Sequence, residues 1–388
     1  MSPLDPPLPE PTAPAQAHSA ALSQRIAEAI DATGGWIGFD RYMDMALYEP
    51  GLGYYAAGAR KLGATGDFVT APEVSSLFGA TLARQAAEIL RHTPGAEILE
   101  LGAGSGRLAA DLLVALDGLG CAPEQYSILE VSADLRARQQ DRLGRLPPRL
   151  ASRVRWLDRL PAQFAGVIIG NEVLDALPVR LVAWHGEMAV ERGVILRAGG
   201  FALEDRPIAD PRLLEAASRL DPPRPYVSEI ALVGPALVRS IASMLVHGVV
   251  LLIDYGFGAT EYYHPQRSAG TLMCHYRHRA HGDPFFWPGL QDITAHVDFS
   301  AVLRAGLEGG LSLLGYTSQA HFLVNLGVTD LLAATPTEPA AEYLRLAAGA
   351  QKLLSPSEMG ELFKVIALGR GMDMPLSGFV RGDLSRLL

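Results

Sequence analysis

Apolar positions recur at three- and four-residue spacing through "LSQRIAEAIDATG" and again through "SSLFGATLARQAAEIL". This spacing predicts amphipathic helices beginning near Leu22 and near Ser75. After residue 95 the pattern changes to short apolar runs, each followed by a helical stretch. "AEILELGAG" precedes "RLAADLLVALDGLG", and "YSILEVS" precedes "ADLRARQQDRL". "RVRWLDRL", "GVIIGNEV" and "VVLLIDYG" are three further strands, and "LSLLGYTSQ" and "LFKVIALGRG" supply the last two. Strand and helix alternating in this way predict an α/β fold with a mostly parallel, doubly wound sheet covered on both faces. "VRLVAWHGEMAVERGVILRAGG" reads differently, as antiparallel hairpins inserted beside that sheet. The expected organisation is a Pro-rich tail over 1–20, a helical cap over 21–95 and a main domain over 96–388. Insertions fall at about 178–225 and 258–298, and a helical segment at about 320–356.

Composition narrows the function. The chain has 388 residues, enough for one large domain with insertions or for two domains. Its formal net charge of -9 argues against a nucleic-acid partner, because phosphate binding needs clustered Lys and Arg. Two cysteines, Cys121 and Cys274, offer neither a disulfide framework nor a paired metal site, as expected in a reducing compartment. The most membrane-like segment, Ala231 to Ile253, is interrupted by Arg239, His247 and Gly248, so a helix leading into a strand is expected rather than a span. The opening "MSPLDPPLPEPTAPAQAHS" has neither a basic start nor an apolar signal core. A cytoplasmic protein is expected.

Candidate chemistry begins at "ELGAGSG", Glu100 to Gly106. A strand ending in Gly102, Gly104 and Gly106 lets the backbone approach a ligand closely, and the next helix presents its N-terminus there. Glu130 ends the following strand, where an acid accepts hydrogen bonds from both ribose hydroxyls. A dinucleotide loop places its third glycine one residue later than this chain does. Glu100, two residues before the first glycine, suits a cation better than a pyrophosphate. S-adenosylmethionine carries a sulfonium and an ammonium, and fits that charge. Asp158, after "RVRW", is a candidate for the adenine amino group, with a solvated loop acid as its alternative.

The motifs as a set resemble the MidA-like family of class I S-adenosylmethionine-dependent methyltransferases. "ILELGAGSGRLAADLL" is similar to the first motif of the superfamily. "FDRYMDMALYEPGLGYYA", "GDFVTAPEVSSLFG", "GNEVLDALPV", "LLIDYG", "GTLMCHYRH", "DITAHVDFS" and "FLVNLG" are similar to motifs of this branch, in family order across roughly 36–370. The resemblance implies a Rossmann-like methyltransferase sheet, an N-terminal cap and substrate-side insertions. Mitochondrial members act in complex I assembly, so the resemblance also implies methyl transfer to an arginine of a partner protein, such as a complex I subunit.

Arginine stays protonated, so its site should grip the planar guanidinium with carboxylates while a nitrogen lone pair develops toward the methyl group. Glu172 and Asp175 stand three apart beyond the fourth strand, where one helical turn would put both on one side. They are the expected clamp, with Asn171 positioning the cofactor's methionine end or the target nitrogen. For Asp175, an acid decorating a helix N-terminus is the alternative. His296, near Asp292, is a candidate for the departing proton, with a structural histidine as its alternative. Asp67 and Thr70 precede the sheet and are further candidate cofactor contacts; Thr70 is also positioned to cap the helix near Pro72. His275, His278 and His281 would share a helical face, but no nearby Cys or acid completes a zinc site, so no metal is expected. Tyr54, Tyr55, Phe68, Phe285, Phe286 and Trp287 are candidate walls of an arginine channel, with "DPFFWPG" as its lid. Two other readings stay open: a small-molecule methyltransferase and an assembly chaperone with little turnover.

Overall fold

The computed structural model describes residues 8–57, 70–93, 95, 97–186 and 188–388. Seven long strands form the central sheet: β1 (Glu97–Leu101), β2 (Gln125–Leu129), β3 (Val154–Leu157), β4 (Phe164–Asn171), β5 (Leu245–Phe257), β6 (Ser312–Ser318) and β7 (Phe363–Arg370). Their spatial order is β6-β7-β5-β4-β1-β2-β3, so the chain reverses direction of travel between β1 and β4. β7 runs antiparallel to both of its neighbours, and β1 to β5 pair in parallel.

Side chains alternate faces along each strand and build one core on either side. Ile98, Val167, Ile169, Val249, Leu251 and Val365 face a core shared with the helices Ser76–Arg91 and Arg107–Gly118. Leu99, Leu101, Ile168, Val250, Leu252 and Ile366 face the other core, shared with the helices Val233–Met244 and Phe299–Glu308. The continuous apolar runs are thus explained by burial on both faces. The crevice at the C-terminal ends of β1 and β4 is the switch point, where open α/β sheets bind ligands.

The cap and the insertions pack as one body. The strands Arg180–Trp184, Ala189–Arg197, Gly200–Pro207 and Tyr226–Ile230 form an antiparallel sheet. Ile37–Gly38 of the cap adds an edge strand to it, so the cap is not wholly helical. A third core joins Leu22, Ile26, Tyr42 and Met43 of the cap to Leu181, Val194, Cys274 and Ile293. The first helix, Ala13–Ala32, begins inside the stretch expected as a Pro-rich tail. Proline is tolerated in the first turn of a helix, and Ser19, Leu22, Ile26 and Ile30 give it a buried stripe. Proline density alone therefore misplaced the start.

Two glycines fix how closely β1, β4 and β5 approach. Gly166 (φ +136°) would place a Cβ 2.0 Å from the Glu97 carbonyl oxygen, and Gly248 (φ +127°) one 2.0 Å from that of Gly166. A side chain cannot fit there without parting the strands. Gly166→Ala is expected to lower stability by about 2 kcal/mol or more in chemical denaturation, above the usual glycine-to-alanine effect.

Candidate active site

The cofactor side is built where β1 runs into the helix Arg107–Gly118. Gly102, Gly104 and Gly106 all have positive φ, +59°, +53° and +76°. L-residues reach that region only with strain, which explains three glycines in five residues. A Cβ on Gly102 would press on Val173 at 3.3 Å, so the loop and the β4 turn are fitted to each other. Glu100 is buried and accepts a 2.7 Å bond from the Tyr126 hydroxyl. Burial pushes its carboxyl up to about 7 despite that bond.

Glu130 is fixed by the helix Ala133–Leu143 that follows it. Its carboxylate accepts bonds from the Ser132 amide at 2.8 Å and from Gln139 Nε2 at 2.9 Å. Gln139 Nε2 also donates to the Gly104 carbonyl oxygen at 2.9 Å, tying the acid to the glycine loop. Trp156 Nε1 donates to Gln139 Oε1 and completes the brace. Val131, next to Glu130, lines the cavity and is 82% exposed.

The wall expected to take the acceptor lies at the end of β4. Glu172 has φ +53°, a left-handed conformation that a glutamate holds only when its surroundings over-determine it. Its amide donates to the Ile253 carbonyl oxygen on β5 at 2.8 Å. Its Oε1 accepts from the Ala71 amide at 3.0 Å and from Asn171 Nδ2 at 3.1 Å. Burial, and then the Asp175 charge, push Glu172 up to about 8. Tyr48 and Tyr55 stack 5.5 Å apart over this end, with the Tyr55 hydroxyl donating to Asp292.

One cavity of about 710 Å³ joins the two sides, and Thr70, Glu100, Gly102, Gly104, Glu130, Asn171 and Glu172 all line it. Gly106 stands behind the wall, where a Cβ would meet Gln139 at 3.3 Å. Asp175 is buried behind Glu172, not beside it. Residues 172–175 form a bend and a turn instead of a helix, so spacing of three does not put the two acids on one side. Asp158 lies outside the cavity: its side chain is 85% exposed and pairs with Arg136 at 2.6 Å. His296 also lies outside, stacked on Phe257 and edge-on to Tyr255. Burial, then the Arg267 charge, depress His296 to about 4. Thr70 reaches the cavity but does not cap with its side chain. Asp67 and Phe68 lie outside the described residues.

The aromatic lid and the histidine run resolve elsewhere. Phe285 packs on Tyr42 and Phe201, and with Phe286 and Trp287 it borders a separate hollow against the first helix. His275, His278 and His281 fall on the hairpin Met273–Tyr276 and Arg279–His281, so they share no helical face. Sequence reasoning missed Gln139, Tyr48 and Asp254. Asp254 carried a usable signal, an acid at the end of an apolar strand, as Glu130 is. Tyr48 lies within the stretch "FDRYMDMALYEPGLGYYA", whereas Gln139 carried no signal, because only the fold brings it to the site.

The residues present fit an adenosyl sulfonium. A glycine cradle without Cβ atoms adjoins the braced Glu130 carboxylate, and the buried Asn171 Oδ1 has no hydrogen-bond partner, leaving an acceptor that would suit an ammonium. Among the described residues, no group of His, Cys, Asp and Glu could hold a metal ion, and no helix is long and apolar enough to cross a membrane.

Comparison with known proteins agrees with this geometry. A protein from Burkholderia thailandensis bound to S-adenosyl-homocysteine is 52% identical, with 98% of this chain and 100% of that one covered and a TM-score of 0.95. A native structure from the same organism is 51% identical over the same shares, with a TM-score of 0.92. The mouse protein arginine methyltransferase NDUFAF7, mitochondrial, is 30% identical, covering 84% of this chain and 79% of its own length. The zebrafish protein of the same name is 28% identical, covering 94% and 93%. A family profile described as "Putative S-adenosyl-L-methionine-dependent methyltransferase" matches residues 81–317. The chain belongs to that family of S-adenosyl-L-methionine-dependent methyltransferases.

Proposed function

We propose that this methyltransferase modifies an arginine side chain of a partner protein. One observation carries the reading: Glu172, held in a strained left-handed conformation, faces the cavity at the end of β4 and has no cation in an ion pair among the described residues. A half-buried carboxylate with no ion-pair partner is costly, and a guanidinium offers it a planar cation with matched donors. The names of the mouse and zebrafish relatives support the same acceptor. A respiratory complex I subunit is the proposed partner, on the resemblance of the sequence motifs.

In this reading the glycine loop and Glu130 bind and orient the cofactor, which supplies an activated methyl group when bound. Glu172 fixes the guanidinium and leaves one nitrogen free toward the methyl. Tyr48 and Tyr55 keep water away from the line of transfer, as alignment and dryness are what such a displacement needs. As the new N–C bond forms, Glu172 accepts the proton that the nitrogen gives up. An acid raised toward neutral pH suits that role.

Peptide mapping of respiratory subunits from cells with and without the protein is expected to show an arginine whose methylation disappears on deletion. An unchanged pattern would instead favour the small-molecule reading. Glu172→Gln is expected to lower kcat at least about 100-fold, the lower range for removal of a positioned base, while calorimetric affinity for S-adenosylmethionine stays within about twofold.

The raised Glu172 also affects stability. Because its folded pKa lies above the unfolded value of 4.5, its contribution is fully present below 4.5 and is lost as pH rises through about 8. A tenfold difference in proton affinity between the folded and unfolded states corresponds to about 1.4 kcal/mol. Glu172→Gln is therefore expected to melt above the wild type at pH 8.5 and close to it at pH 5, both free of ligand.

A further inference from the structure

Three carboxyl groups behind Glu172 have no part in the transfer described above. Asp175, Asp254 and Asp292 are 6%, 1% and 2% exposed. Asp254 stands near the end of β5 and grips the turn that follows β4. Its Oδ2 accepts from the Leu174 amide at 2.9 Å and the Asp175 amide at 3.3 Å, and its Oδ1 accepts from the Tyr255 amide at 3.0 Å. Asp175 is held from the other side by a bond from the Tyr255 hydroxyl. Its Oδ1, however, is buried with no hydrogen-bond partner.

Lys364 stands opposite Asp254 across the ladder to β7, but its ammonium donates to the Glu361 carbonyl oxygen and lies over the Phe257 ring. The other groups facing the pair are acids and phenols. Glu172 lies on the same turn, Tyr255 on β5, Tyr48 on the cap helix Phe39–Tyr48, and Tyr55 in the loop after it; Asp292 begins the strand Asp292–Thr294. Among the described residues, no Lys, Arg or His forms an ion pair with Asp175 or Asp254. Burial raises Asp254 well above the usual carboxylate range, and the Asp175 and Glu172 charges add to it. Both carboxyls are buried against one turn with no cation paired to either, and a proton held by the pair would satisfy the orphaned Asp175 oxygen.

We propose that Asp175 and Asp254 form a carboxyl pair that holds a single proton and acts as the positioning device for Glu172. The pair anchors the strained turn through two amide bonds, from Leu174 and Asp175, and its one remaining negative charge sets the basicity of Glu172. This rests on reading Glu172 as the acceptor-side carboxylate. In the transfer step the guanidinium nitrogen forms a bond to the methyl carbon, the carbon–sulfur bond breaks with its electron pair going to sulfur, and the nitrogen's proton moves to Glu172. Asp175 and Asp254 touch neither substrate nor cofactor.

Infrared spectroscopy of the full ligand-free chain tests the pair without any substrate. The wild type is expected to keep a protonated-carboxyl C=O band at about pH 9, above the Glu172 transition. Asp175→Asn and Asp254→Asn should each remove that same band, since one proton belongs to both groups. A band that survives either substitution overturns the pair. Thermal melts identify a variant that has unfolded; the band in the folded partner variant then decides. With an arginine peptide, the acid limb of kcat/KM should move down by one pH unit or more in the double variant Asp175→Asn/Asp254→Asn, because only that variant removes the pair's remaining charge along with its proton. An unmoved limb in a folded variant would overturn the positioning role. If no arginine peptide is methylated but the shared band is present, the arginine reading fails and the pair stands.

Discussion

The way β4 and β5 end together controls where Glu172 points at the end of the cavity. The parallel ladder runs to Asn171 and Ile253, and the Glu172 amide then bonds the Ile253 carbonyl oxygen instead of continuing the strand. That bond, with the Ala71 amide on Oε1, holds a non-glycine residue at positive φ. Strain of this kind persists only where surrounding contacts enforce it, and it directs the Glu172 carboxylate into the cavity. Residue 254, one step further along β5, carries the acid that grips the same turn. Strand register and acid placement are therefore one constraint.

The opposite wall depends on conformational freedom more than on charge. Three positive-φ glycines open the space at the end of β1, and Gln139 couples that loop to Glu130. The N-terminal cap closes over both walls through Tyr48, Tyr55 and the helix Ala71–Val74, whose first amide bonds Glu172. The cap shares a core with the insertions, so the hairpin sheet and the loop beyond β5 support the lid of the cavity.

The sheet was legible because its strands are continuous apolar runs punctuated by glycine, and the glycine loop and Glu130 because their chemistry is local to two strand ends. The acceptor side was legible in composition but not in direction. Spacing placed Glu172 and Asp175 together on an assumed helical turn, and the left-handed residue between strand and turn sends them to different sides of the wall. Asp158 and His296 stand apart from the cavity for a related reason: a residue next to a motif in sequence can face solvent or a separate aromatic stack. The first helix was hidden by its prolines, and the aromatic loop around Phe285 by a core that exists only when cap and insertion meet. Gln139 shows the reverse case, an ordinary helix residue made important by two long-range bonds.

The central claim is that the Glu172 end of the cavity accepts a guanidinium. A crystal structure of the protein with S-adenosylhomocysteine and an arginine-containing peptide tests it most directly. The account predicts the adenosyl group beside Glu130, the sulfur directed to the end of β4, and the guanidinium within hydrogen-bonding distance of Glu172. A guanidinium bound elsewhere, with Glu172 contacting neither ligand, would contradict it.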